Sequence, residues 1–106
     1  MANRWGIPKE FEDFVIERDK KCVYCGIEFS TSENNRKARQ SWEHIINDIK
    51  LNGVDNIALC CVSCNASKGN KLLVDWLNGT YCKKKMINSE SVSPLIRQFL
   101  LQNRNT

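Results

Sequence analysis

A mixed α+β fold is expected from three features of the 106-residue chain. Residues 41–46 and 56–60 have the composition of short strands, and the loop between them holds the turn-forming pair Asn52-Gly53. Two Cys-x-x-Cys pairs, Cys22/Cys25 and Cys61/Cys64, stand before the first strand and at the end of the second. Apolar residues recur at helical spacing near both ends, which adds flanking N- and C-terminal helices to the hairpin.

The elements follow in order. After Pro8, the residues Phe11, Phe14 and Val15 share one side of a helical wheel, so residues 8–19 are expected to form an amphipathic helix with that side in the core. Residues 30–40 carry almost no apolar content and read as a solvated loop or the start of a polar helix. Ser41-Trp42-Glu43-His44-Ile45-Ile46 and Asn56-Ile57-Ala58-Leu59-Cys60 give the hairpin. A helix over 65–73 follows, weakened by Gly69, and Leu72, Leu73, Trp76 and Leu77 form an apolar cluster that ends at Asn78-Gly79. A last helix starts near Ser93-Pro94, with Leu95, Ile96, Phe99 and Leu100 on its apolar side. The length accommodates one domain over 1–106, with a core at about 20–78 and a helical extension at about 80–106.

Composition narrows the chemistry. The hydrophobic share is 42%, low enough in a small chain for a cross-link to be useful. The N-terminal sequence has no apolar signal region, and no apolar run reaches membrane-spanning length, so a cytoplasmic chain without a membrane partner is expected. In a reducing compartment, doubled Cys-x-x-Cys spacing points to metal in preference to disulfides. Four thiolates complete the closed tetrahedral shell of structural Zn²⁺, and Gly26 suits the tight turn after the first pair. Cys60 and Cys82 fall outside the spacing and are expected not to bind the ion. Lys and Arg number 16 against 12 Asp and Glu, and the resulting +4 favours a polyanionic partner.

One constellation remains. His44 is the single histidine, Glu43 beside it is an oxygen ligand suited to Mg²⁺, Asn56 closes the loop, and Asn65 follows the last cysteine of the second pair. Trp42-Glu43-His44-Ile45, followed by the stretch from Asn56 through Cys61-Val62-Ser63-Cys64-Asn65 to Asn70, resembles the HNH endonuclease family, and Cys22-Val23-Tyr24-Cys25-Gly26 resembles its upstream zinc half. The resemblance covers about residues 10–78 and lies in the order and spacing of all the parts. It implies a ββα-metal core and metal-dependent hydrolysis of DNA phosphodiester bonds, with double-stranded DNA as the expected partner. It further implies His44 as general base, Asn56 as the residue that constrains the His-bearing loop, and Glu43 with Asn65 as ligands of Mg²⁺ or another divalent cation. Many members of the family carry Asp where this chain has Glu43.

Lys68 and Lys71 follow Asn65 and are expected to meet backbone phosphates. Cutting both strands would require two copies of one small site, so a homodimer is one expected state and a nicking monomer the other. Two other readings stay open: a non-catalytic, zinc-organised DNA-binding module, which needs the cysteines and basic residues alone, and a metal-stapled protein-interaction domain.

Overall fold

The computed structural model describes residues 6–31, 34–46 and 53–102. Helix α1 spans Lys9–Arg18; a short 3-10 helix spans Arg36–Ala38; strands β1 (Gln40–His44) and β2 (Ile57–Cys61) follow; then come α2 (Val62–Lys68), α3 (Leu73–Leu77), α4 (Thr80–Lys85) and α5 (Pro94–Gln102). The chain is thus mixed α+β, with one two-stranded antiparallel sheet among the described residues. None of these helices is long and apolar enough to cross a membrane.

The hairpin pairs Gln40 with Cys61, Trp42 with Leu59, Glu43 with Ala58 and His44 with Ile57. Beyond His44 the ladder gains one more bond, from Ile45 N to Asn56 O at 2.9 Å. Most of the loop that follows lies outside the described residues, including Asn52 of the expected Asn52-Gly53 turn. All five residues of β2 are buried, because helices cover both faces of the hairpin. Ala58 and Cys60 face one cluster, with Tyr24, Trp76, Cys82, Ile96 and Phe99; Ile57 and Leu59 face another, with Ile7 and Val15. Successive strand residues point to opposite sides, so five residues supply two cores.

Helix α1 is fastened to the hairpin through its C-terminal end. Arg18 donates to Val54 O at 2.6 Å and to Ile57 O at 2.8 Å, and pairs with Asp19, whose Oδ2 accepts from Leu59 N at 3.1 Å. The apolar side expected of this helix is only partly inside. Val15 is buried, whereas Phe11 and Phe14 are 36% and 53% exposed, and the Arg18 guanidinium lies 5.7 Å from the Phe14 ring centroid. The hairpin face beneath is narrow and already filled by Ile7, Trp42 and Leu59.

Helix α2 begins three residues earlier than expected and stops at Lys68. Cys61 is its N-cap, its Sγ accepting from Cys64 N at 3.4 Å, and Gly69 ends it at φ +51°. Val, Ser, Cys and Asn are indifferent helix formers, so this seven-residue helix depends on its tertiary attachments. In the apolar cluster expected after it, Leu73 and Trp76 are buried and Leu72 is exposed. The Lys83-Lys84-Lys85 run, unassigned from sequence, forms the last turn of α4. Helix α5 starts at Pro94 as expected; Ile96 and Phe99 join the larger core, with Leu95 and Leu100 partly buried against it.

Candidate metal centre and the polar cluster beside it

The two cysteine pairs converge. The ligand atoms of Cys22, Cys25, Cys61 and Cys64 all lie within 4.8 Å of one another, and Cys25 Sγ is 3.7 Å from Cys61 Sγ. A tetrahedral Zn²⁺ with bonds of about 2.3 Å separates its sulfurs by about 3.8 Å. The four residues are placed to hold one metal ion, with a geometry consistent with structural zinc.

Each pair forms its own knuckle. Cys25 N donates to Cys22 Sγ and Cys64 N to Cys61 Sγ, both at 3.4 Å. The first turn closes through Gly26 N to Cys22 O at 3.0 Å, with Gly26 at φ +77°, where a side chain would strain the backbone. Val23 N bonds to Leu59 O, fixing that knuckle to β2. Hydrogen bonds among the four thiols lower Cys22 below the usual thiol range and raise Cys61 and Cys64 above it. Tyr81 adds an outer contact, its hydroxyl 3.4 Å from Cys64 Sγ. Cys60 and Cys82 are buried outside the cluster, and burial raises both, Cys82 to about 11.

A polar cluster lies between β1 and α2. Asn65 Nδ2 donates to Ser41 Oγ and to Trp42 O, both at 3.0 Å; one turn later Lys68 Nζ reaches Ile45 O and Glu43 Oε2, also at 3.0 Å. Tyr24, from inside the first knuckle, donates its hydroxyl to the same Glu43 oxygen at 2.6 Å. Burial raises the Glu43 carboxyl above its usual range, and Lys68 and then Tyr24 act in the opposite direction. The Tyr24 hydroxyl itself is held well above the usual phenol range, by burial first and then by the Glu43 charge.

The residues singled out in the sequence occupy distinct positions. Glu43 and His44 are adjacent and buried, close enough that a charged imidazole would favour the Glu43 carboxylate. Asn56 holds the chain just after His44: its Oδ1 accepts from Ile46 N at 2.8 Å and its Nδ2 donates to Ile46 O at 3.2 Å. Lys68 corrects an expectation. It is 0% exposed, and its ammonium neutralises a carboxylate instead of facing phosphates, because residue 68 lies on the side of α2 turned to β1. Lys71 is exposed, with Nζ on Ser67 O.

Sequence reasoning missed Tyr24 and Ser41 altogether. Tyr24 stands between two cysteines, and the one available signal was a phenol in an otherwise apolar knuckle. A cavity of about 230 Å³, lined by Ile46, Asp55, Asn56, Leu95 and Phe99 among others, borders the loop after β1 without including Glu43, His44 or Asn65.

The donor set also bears on a second cation. Trp42 O can only accept, so the Asn65 atom facing it must be the amide nitrogen, which leaves Oδ1 as that residue's available ligand atom. Both contacts of Glu43 fall on Oε2, leaving Oε1. A carboxylate oxygen and an amide oxygen are hard donors, the chemical type that Mg²⁺ takes. No family model matches the chain, and neither a curated protein nor a solved structure does.

Proposed function

We propose that this chain is an HNH-type, metal-dependent DNA endonuclease with a ββα-metal core, its scaffold held by one Zn²⁺ on Cys22, Cys25, Cys61 and Cys64. The observation that supports this most is the stitching of α2 to β1, with Asn65 bonded to the carbonyl of Trp42, the residue before Glu43, and Lys68 paired with Glu43 itself. His44 is the general base, since a neutral imidazole can take a proton from water near neutral pH. Asn56 clamps the backbone of Ile46 and so fixes the segment that leaves His44. Glu43 through Oε1 and Asn65 through Oδ1 hold the cation, and their second atoms are already committed to protein partners that set their orientation. A bound Mg²⁺ or similar ion would stabilise charge on the phosphate and the departing oxygen.

Lys71 meets the DNA backbone without reading sequence, and the +4 net charge assists. The thiol-rich metal site belongs in a reducing cytoplasm. A monomer would nick and a homodimer would cut both strands.

Plasmid incubated with wild type in Mg²⁺ should pass from supercoiled to open-circular or linear, and His44→Ala should bind DNA equally and leave it intact. Equal cleavage by both proteins would sink this reading. The burial of Glu43 and His44 favours a second reading, a zinc-organised DNA-binding module without catalysis. It expects retention of DNA by both proteins and cleavage by neither.

A further inference from the structure

Glu43 reaches out from β1 on two methylene groups, one more than Asp would have, and a cation ligand on a longer arm needs a stop. Two donors supply it on one oxygen, Lys68 from α2 and Tyr24 from the knuckle. They differ in stiffness. The ammonium ends four rotatable bonds, whereas a tyrosine hydroxyl is placed by two side-chain torsions.

Those two torsions are set by packing. The Tyr24 ring is fully buried and meets the Trp76 ring edge-on, with centroids 4.9 Å apart and an interplanar angle of 70°. Trp76 is itself anchored by its Nε1 on Ser67 Oγ at 2.9 Å. The Tyr24 backbone lies between two ligands of the candidate zinc, and Val23 is tied on both sides, its N to Leu59 O and its O to Ser93 N. From that fixed base the hydroxyl ends 2.6 Å from Glu43 Oε2.

We infer that Tyr24 is a positioning residue that transmits the geometry of the zinc knuckle to Glu43, holding Oε2 so that Oε1 is presented to the cation. The inference rests on the endonuclease reading for the identity of the cation site. Outer partners of metal ligands set the ligand's direction, and their loss costs affinity even where every ligand remains.

Tyr24→Phe isolates the contact, because it keeps the ring against Trp76 and deletes only the hydroxyl. Mn²⁺ is the probe, titrated into zinc-loaded protein and followed by electron paramagnetic resonance, with zinc per chain measured in the same samples. Wild type, Tyr24→Phe and Glu43→Gln are compared. Tyr24→Phe should keep wild-type zinc and bind Mn²⁺ about 10- to 100-fold more weakly. Unchanged Mn²⁺ affinity in Tyr24→Phe, with Glu43→Gln weakened, overturns the role of Tyr24 and leaves the nuclease reading standing. Loss of zinc from Tyr24→Phe also overturns it, since the hydroxyl would then serve the knuckle. Identical Mn²⁺ behaviour in wild type and Glu43→Gln removes the cation site and both proposals with it.

Discussion

Lys68 Nζ lies 3.0 Å from Glu43 Oε2, with both side chains buried. Removing one partner strands the other charge away from water, at a cost of about 3–5 kcal/mol. Burial already holds the Glu43 carboxyl above 4.5, and Lys68 opposes that shift. A carboxyl raised in the folded state contributes stability below its unfolded pKa and loses it as pH rises through the folded one. Lys68→Met removes the opposing charge. Its stability deficit relative to wild type, measured by urea unfolding without added Mg²⁺, should therefore widen as pH rises above the usual carboxylate range. Glu43→Gln/Lys68→Met should abolish the widening; a deficit constant with pH would argue that Lys68 acts only through packing.

The cysteines divide into two classes, and metal content should divide with them. Wild type, Cys60→Ala and Cys82→Ala should carry about one zinc per chain, whereas Cys25→Ser and Cys64→Ser should carry less and unfold at lower temperature. Elemental analysis with thermal melts decides. Normal zinc in Cys25→Ser would disprove a four-thiolate shell.

Asn56 satisfies both backbone polar groups of Ile46. Asn56→Asp keeps the acceptor and replaces the donor with an oxygen aimed at the Ile46 carbonyl. A loss of about 1–3 kcal/mol is expected, along with faster amide exchange at Ile46 and, on the endonuclease proposal, lower cleavage at unchanged zinc. Native-like exchange at Ile46 would show that the loop is held by other contacts.

Arg18 caps two backbone carbonyls in and before β2, and α1 rides on that contact. Arg18→Ala should cost about 2–4 kcal/mol, since bonds to a charged donor are lost and carbonyls are left unpaired. Lys9→Ala, which removes the exposed pair with Asp13, should leave the urea midpoint unchanged. Comparable losses in the two variants would contradict the anchoring role of Arg18.

Much of this was legible in local pattern. The spacing of Cys22, Cys25, Cys61 and Cys64 announced a shared centre because two intervening residues are what a thiolate knuckle needs, whatever surrounds it. The hairpin and the helix at Pro94 were likewise visible in period and turn chemistry. Helix α2 was placed three residues late, because its start is set by the Cys61 cap and the metal cluster, not by helix propensity. Phe11 and Phe14 read as core because a helical wheel shows which residues share a side, not how wide the surface opposite is.

By itself, the sequence determined the mixed α+β class, the four thiols of the candidate metal centre and the order of Glu43, His44, Asn56 and Asn65 along the chain. Only the tertiary structure decided that Lys68 faces inward to Glu43 and that Tyr24 reaches the same oxygen. Those partners lie 25 and 19 positions away in sequence, so no periodicity links them. The hairpin brings them together by pairing β1 with β2, and the knuckle and α2 close over it from either end of the cysteine cluster.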